Sequence, residues 1–274
     1  MGDELKRKTP PAPWDRRIIP TASGYHYLEH ADRVPMAWHG GRYNPVQAWW
    51  LSEMSALAYV GHEHAADVLA GAGFSTYRGF DGSHCRCFVT SDGTGHVVVF
   101  RGTDVRSFAG LLDVVAAIRV SLVAARLAEG RVHRGFQATL DEVWDGETGV
   151  ASHLRRSRPD PRSPLYITGH SLGGALALIA AARLSHSGVG VSGVYTLGTP
   201  RVGDATFCGG IGAPVYRLVH DDDPFVHVPP PALFHHGGDR VDVTTGAAPP
   251  GTPTNHSPIY YAIGTWNEVA STPR

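Results

Sequence analysis

Cysteine is scarce, net charge is almost absent and no long apolar run is uninterrupted, and each of these absences excludes a class of protein. Three cysteines in 274 residues are too few, and odd in number, for a disulfide framework. Cys85 and Cys87 lack the second pair that a zinc site requires, so they are interpreted as small strand residues. The net charge of −1 argues against nucleic-acid binding and against tight electrostatic binding to anionic membranes.

The sequence also lacks a membrane-spanning segment and a secretory signal. Its most apolar run, residues 108–127, is interrupted by Asp113, Arg119 and Arg126, which disfavours a spanning helix. The first residues are charged and rich in proline, without the apolar centre of a signal peptide. A cytoplasmic location is therefore the default expectation, although a mature secreted terminus stays open.

Length and composition favour a single folded domain behind an irregular arm. Hydrophobic residues make up 42% of the chain and charged residues 18%, which is typical of a folded protein. Residues 1–43 hold several prolines and little periodicity, so we expect an arm that is disordered, packed on the domain or exchanged with a partner. Residues 44–274 are predicted to form one domain with a sizeable core.

Strand-like and helix-like segments alternate along this domain. Alternation of this kind predicts a mainly parallel central sheet flanked by helices. The predicted helices are residues 45–60, 108–127 and 174–184, and residues 132–144 are expected to lead into another helix. The predicted strands are a hairpin within residues 84–103 and the buried runs at 165–168, 191–200 and 213–220.

The segment GHSLG places Ser171 between the predicted strand LYIT and the alanine-rich helix ALALIAAARL. A G-x-S-x-G sequence in this context is the nucleophile elbow of serine hydrolases, in which the serine projects from a sharp turn. The helix N-terminus beside it favours developing negative charge. Ser171 is therefore predicted to be a nucleophile, the alternative being an idle serine in a glycine-rich turn.

Four motifs together resemble the class 3 (fungal-type) lipase family. They are GHSLGG, VVVFRGT, VHRGF and LGTPRVGD, in the family's order, and the resemblance covers roughly residues 45–262. It implies an α/β-hydrolase fold and hydrolysis of carboxylic esters, often acylglycerols. It also implies a Ser-Asp-His triad that needs no metal and no cofactor.

The acid of such a triad is expected in the loop after a late strand. A serine nucleophile needs a base oriented by a carboxylate, and in this fold the acid precedes the base in the chain. The segment YRLVHDDDPFVHVPP fits this expectation, but spacing does not choose among Asp221, Asp222 and Asp223. Alignment of HVPP with the family's acid loop implies Asp223.

Several histidines compete for the role of the base. His227 lies within the acid loop itself, and His235 and His236 follow it. The segment NHSPIYYAIG near the C-terminus resembles the family's base segment, which implies His256. His235 and His236 remain the alternatives, and His170 beside the nucleophile is interpreted as a supporting residue.

The resemblance also implies the oxyanion donors and a lid. The donors would be the backbone N–H of Leu172 and Thr103, the latter following Arg-Gly at the end of the strand HVVVF. The predicted helix within residues 107–128 is apolar nearly all round. It is expected to be either a helical lid that opens on a lipid surface or a core helix beneath the site.

Three activities are compatible with these residues. The first is hydrolysis of acylglycerols, with an acyl ester or lipid as substrate and contact with a lipid surface. The second is a related ester hydrolysis, by a phospholipase A1 or by a short-chain or aryl esterase. The third, from another class, is a lipase-like binding protein without turnover. The oligomeric state stays open.

Overall fold

A seven-stranded sheet organises the molecule in the computed structural model, which describes residues 5–11, 24–38, 41–103, 121–158, 160–246 and 252–272. The strand order is β1-β2-β3-β6-β7-β8-β9, and a separate ribbon pairs β4 with β5. The antiparallel pairs are β1 with β2 and β2 with β3, and the remaining neighbours are parallel. The strands are β1 Thr76–Asp81, β2 Arg86–Ser91, β3 His96–Phe100, β4 Leu122–Ala124, β5 Arg131–His133, β6 Leu165–His170, β7 Gly193–Leu197, β8 Val215–His220 and β9 Asp239–Val243.

Helices cover both faces of the sheet, which confirms the predicted α/β-hydrolase architecture. α1 and α7 pack together over one face, and α3, α4 and α5 pack on the other. No helix within the described ranges is long and apolar enough to cross a bilayer. The helices are α1 Pro45–Leu57, α2 His62–Gly71, α3 Arg134–Trp144, α4 Val150–Ser157, α5 Leu172–His186, α6 Ala205–Gly209 and α7 Pro258–Ser271.

The central strands are buried on both faces because their sequences are almost uninterrupted apolar runs. Every residue of β3, β6 and β7 is buried. Since β3, β6, β7 and β8 run parallel, their carboxyl ends lie at the same edge of the sheet. The loops that follow these strands, far apart in the chain, therefore meet at that edge.

The predicted helix within residues 107–128 is wrong at its C-terminal end. Leu122–Ala124 forms β4, which pairs antiparallel with β5 in the register Leu122↔His133. A short aliphatic run suits helix and strand equally, and here pairing with the partner strand decides between them. Residues 121 and 125–128 are not helical either, and residues 107–120 lie outside the described residues.

The described N-terminal residues 5–11 lie against α7. The Trp266 indole N–H donates to the Lys6 carbonyl at 2.9 Å. The Asn267 side chain accepts from the Lys8 backbone N–H at 2.7 Å and donates to the Lys8 carbonyl at 3.0 Å. This part of the arm is therefore packed on the domain, with its backbone hydrogen bonds satisfied by α7 side chains.

A buried carboxyl on α1 anchors a second N-terminal segment. Glu53 is fully buried and accepts hydrogen bonds from the Tyr25 hydroxyl (2.8 Å), the Leu28 backbone N–H (3.3 Å) and the Trp49 indole (3.2 Å). Burial raises the pKa of Glu53 above that of a carboxyl in water. The three donors offset part of the desolvation penalty.

Candidate active site

Ser171 lies at a strained turn between β6 and α5. Its backbone has φ +58° and ψ −127°, a region that costs a residue with a side chain energy and is found where function demands it. Glycines make the turn sterically feasible. A Cβ on Gly169 would collide with the Gly173 backbone, and a Cβ on Gly173 would collide with the Phe100 carbonyl. The glycines of GHSLGG therefore permit the close approach of β6, α5 and β3.

Ser171, His256 and Asp223 form a continuous hydrogen-bonded chain. His256 Nε2 lies 2.9 Å from Ser171 Oγ, and His256 Nδ1 lies 2.8 Å from Asp223 Oδ2. The Asp223 and His256 side chains are completely buried, and Ser171 is 7% exposed. A carboxylate accepts only, so His256 Nδ1 carries a proton, and Nε2 is the ring atom that faces the serine hydroxyl. The structure thus brings together the three residues that were expected to act together.

The contacts of Asp223 distinguish it from Asp221 and Asp222. The Asp223 carboxylate also accepts from the Phe225 backbone N–H on Oδ1 at 2.9 Å and from the Tyr261 hydroxyl on Oδ2 at 2.7 Å. Asp222 is exposed, and the Asp221 carboxylate lies 3.4 Å from His220 Nε2. Of the three aspartates, Asp223 alone contacts His256 within the described contacts.

The alternative histidines lie elsewhere. His235 is exposed, and its backbone bridges to Gly203. The His236 Nε2–H donates to the Val226 carbonyl at 2.8 Å, and burial lowers the pKa of His236 to about 4. His227 ends the 3₁₀ turn Pro224–His227 and is exposed. These contacts place none of the three against Ser171.

His170 supports the loop that carries His256. Its Nε2–H donates to the His256 carbonyl at 2.7 Å, and its Nδ1 lies 2.7 Å from the Tyr59 hydroxyl. Burial, together with the nearby His256, lowers the pKa of His170 well below its usual value. A neutral His170 donates through Nε2, so Nδ1 accepts from Tyr59. These two contacts tie the end of β6 to the segment that carries His256.

Three residues around this site were not identified from the sequence. Gly198 follows β7 with φ +57°, and a Cβ there would lie 2.6 Å from Asp223 Oδ2 and 2.9 Å from His256 Nδ1. Tyr59 and Tyr261 contribute the hydroxyl contacts with His170 and Asp223. The motif LGTP could have marked Gly198, whereas no local pattern marks the tyrosines.

The two predicted oxyanion donors belong to segments that lie next to the serine. Leu172 is the first residue of α5, where a backbone N–H has no acceptor within the helix. Thr103 follows Gly102, and a Cβ on Gly102 would lie 3.1 Å from Ser171 Cβ, so this loop passes directly beside the nucleophile. Within the described ranges, no group of three histidine, cysteine, aspartate or glutamate side chains could hold a metal ion.

Known proteins that resemble this chain carry lipase names. The sequence profile of the family described as lipase (class 3) matches residues 97–233. A lipase of Rhizomucor miehei is 38% identical over 122 residues, which are 42% of this chain and 33% of that protein. The secreted mono- and diacylglycerol lipase 1 of Fusarium solani is 39% identical over 103 residues, 36% of this chain and 30% of that protein.

Solved structures agree with the sequence comparison. A fungal lipase–inhibitor complex that serves as a model for interfacial activation in lipases superposes with a TM-score of 0.61 at 26% identity, covering 73% of this chain and 80% of that one. The chain spans about a third of the length of the two curated relatives above. The matched residues 97–233 nevertheless run from β3 through the serine turn to beyond Asp223, and they carry the strands and loops that build this site. The chain therefore belongs to the class 3 lipase family.

Proposed function

We propose that this protein hydrolyses carboxylic esters, with acylglycerols as its substrates, through Ser171, His256 and Asp223. The observation that carries the proposal is the buried chain of hydrogen bonds from Asp223 through His256 to a serine held at φ +58°. The lipase names of the relatives support the substrate class. Neither a metal nor a cofactor enters this chemistry.

Acylation starts from the hydrogen bonds that are already in place. Ser171 Oγ attacks the ester carbonyl carbon while its proton passes to His256 Nε2. The imidazolium that forms is stabilised by the Asp223 carboxylate on Nδ1. The carbonyl oxygen becomes negative and is bound by the Leu172 N–H and by Thr103, donors of a kind that contributes a few kcal/mol each.

The same groups complete the turnover in reverse roles. His256 gives its proton to the leaving alcohol oxygen, the C–O bond breaks, and an acyl ester on Ser171 remains. Water then attacks this ester, again losing its proton to His256 Nε2. Collapse of the second tetrahedral species releases the carboxylic acid and returns the proton to Ser171 Oγ.

Contact with a lipid surface is part of the proposal. An acylglycerol is insoluble, so the protein has to meet it at an interface. Leu233 is 58% exposed and lies ten residues after Asp223 in the chain. We propose that Leu233 is one of the side chains that contact the lipid surface. Replacement of Leu233 by serine should reduce activity on emulsions more than activity on soluble esters.

The test is hydrolysis of p-nitrophenyl esters from acetyl to palmitoyl, together with emulsified triacylglycerol and phosphatidylcholine. The Ser171→Ala variant should lose turnover on every substrate, while Ser187→Ala, at the opposite end of α5, should keep it. Release of fatty acid from phosphatidylcholine alone would identify a phospholipase, and activity confined to acetyl and butyryl esters a short-chain esterase. A folded wild type without turnover on any substrate would favour the binding protein and refute the proposal.

A further inference from the structure

One carboxylate oxygen at the site serves two donors at once. Asp223 Oδ2 accepts from His256 Nδ1 at 2.8 Å and from the Tyr261 hydroxyl at 2.7 Å. The other oxygen accepts from the Phe225 backbone N–H at 2.9 Å. Because Asp223 is completely buried, these donors stand in for the water that would otherwise solvate the charge.

The Tyr261 hydroxyl is held in place to donate. Tyr261 lies on α7 and is completely buried. The backbone of His220 hydrogen bonds to the same hydroxyl, and burial together with the Asp223 charge raises the pKa of Tyr261 well above its usual value. The phenol therefore keeps its proton, and it directs that proton to Asp223 Oδ2.

A second donor on Oδ2 weakens the attraction of Asp223 for the His256 Nδ1 proton. Each hydrogen bond to a carboxylate spreads its charge and makes the oxygen less basic. Without the phenol, Oδ2 would attract the Nδ1 proton more strongly, and the carboxylate would be held by two of its three hydrogen bonds. Packing of the aromatic ring alone requires no hydroxyl at this position.

We propose that Tyr261 is a positioning residue that holds the Asp223 carboxylate in the orientation presented to His256 and thereby sets the proton affinity of the base. Its kinetic consequence rests on the proposed ester hydrolysis. Its effect on the Nδ1 proton does not, because that proton exists whether or not the protein turns over a substrate.

Other ionisable groups face Tyr261 and have to be distinguished from His256. The His220 ring, at the end of β8, lies 5.6 Å from the Tyr261 ring, and the His170 ring, at the end of β6, lies 6.0 Å from it. Burial lowers the pKa of both histidines. Arg217 on β8 acts on Tyr261 as a positive charge from further away. The His256→Gln variant therefore serves to distinguish the signals of His256 from those of His220 and His170.

The test compares Tyr261→Phe with Tyr260→Phe. Each variant loses one hydroxyl from the same helix, but the Tyr260 hydroxyl donates to the Pro11 carbonyl at 2.9 Å and touches no member of the triad. In Tyr261→Phe, kcat should fall roughly tenfold, as expected for loss of one hydrogen bond to a charge, with KM unchanged. The acid limb of the kcat/KM profile should move to higher pH by up to about one unit. Tyr260→Phe should keep the wild-type profile.

Proton NMR provides a measurement that does not depend on turnover. The His256 Nδ1 proton, hydrogen bonded to Asp223, should resonate far downfield and should be absent in His256→Gln. Its titration midpoint should rise in Tyr261→Phe and stay unchanged in Tyr260→Phe. If Tyr261→Phe does not fold, replacement of all tyrosines by 3-fluorotyrosine, a stronger donor, should lower the midpoint in the intact chain. The same replacement in a Tyr260→Phe background should give the same lowering.

The outcomes separate the two proposals. Equal midpoints in the wild type and Tyr261→Phe, or no lowering with fluorotyrosine, would overturn the role of Tyr261. A wild type that hydrolyses no ester but shows the midpoint shift would overturn the proposed function and leave the positioning role intact. If the wild type hydrolyses esters, but Tyr261→Phe changes neither the acid limb nor the midpoint of the Nδ1 proton, the proposed function would stand and the positioning role would be overturned.

Discussion

Replacement of Gly198 by alanine tests the geometry of the site with a single added methyl group. The Cβ would lie 2.6 Å from Asp223 Oδ2, 2.9 Å from His256 Nδ1 and 3.0 Å from His256 Cε1, whereas ordinary contact begins at 3.4 Å. The carboxylate oxygen therefore has to retreat by about 0.8 Å and the ring by about half as much. These atoms form the hydrogen bond that orients the base, so the variant acts directly on the proposed chemistry.

Both activity and stability are expected to fall in Gly198→Ala. A displacement of about 1 Å at a reacting group can reduce the rate by about 10²-fold, and we expect kcat of Gly198→Ala to fall by about this factor. Alanine at φ +57° also costs roughly 1–2 kcal/mol of stability. For a chain of this size, that is a decrease in Tm of several degrees.

Gly188→Ala is the matched control. Gly188 has φ +76°, and a Cβ there meets nothing within 4 Å, so this variant carries the backbone strain without the collision. It should lose a few degrees of Tm and keep the wild-type kcat on p-nitrophenyl butyrate. If Gly198→Ala kept wild-type kcat and matched Gly188→Ala in its thermal melt, the proposed role of the Asp223–His256 contact would be refuted.

Three further predictions concern stability and can be measured by thermal melts. Burial raises the folded-state pKa of Glu53 above 4.5. Its contribution to stability is therefore full below pH about 4.5 and declines as pH rises through the folded-state pKa. The decline is about 1.4 kcal/mol for each pH unit between the unfolded-state and folded-state pKa values. Glu53→Gln should therefore gain Tm relative to the wild type as pH rises, and parallel profiles would contradict this. Lys8→Ala removes a 3.0 Å ion pair with Glu29 and a contact with an α7 indole. It should reduce stability by about 1 kcal/mol, more than Glu29→Gln does. A larger loss in Glu29→Gln would count against the packing of residues 5–11 on α7. Arg183, 1% exposed, pairs with the half-buried Asp141 at 2.7 Å. Asp141→Asn should therefore destabilise the protein by about 3 kcal/mol, because it leaves the buried guanidinium without this carboxylate, and Arg183→Met should destabilise it by much less. Equal losses in the two variants would contradict this explanation.

Periodicity and turn chemistry were enough to predict most of the fold. The hairpin of β2 and β3, the buried strands β6 to β8 and helix α5 have clear local patterns, and each is present in the structure. The failure at Leu122–Ala124 occurred where a short aliphatic run has no preference of its own. There, antiparallel pairing with β5 stabilises these residues as the strand β4.

The serine turn is a local property, and the rest of the site is not. Strand, glycines, serine and helix lie within a few residues of one another, so the sequence by itself determined that Ser171 would sit at a strand–helix turn. The contacts of the triad join residues that are 85 positions apart for His256 and Ser171 and 33 apart for His256 and Asp223. Only the tertiary structure decided that Asp223, and not Asp221 or Asp222, would face the base.

The same holds for Tyr261, which no motif marked, and for Gly198, which lies in the motif LGTPRVGD but was assigned no role. Tyr261 lies 38 positions from Asp223, and the glycine follows a different strand of the sheet. Sequence pattern records which face of an element is apolar, but it does not record which side chains of separate loops converge. That convergence follows from the parallel order of β6, β7 and β8, since it brings the carboxyl ends of these strands, and the loops that leave them, to one edge of the sheet.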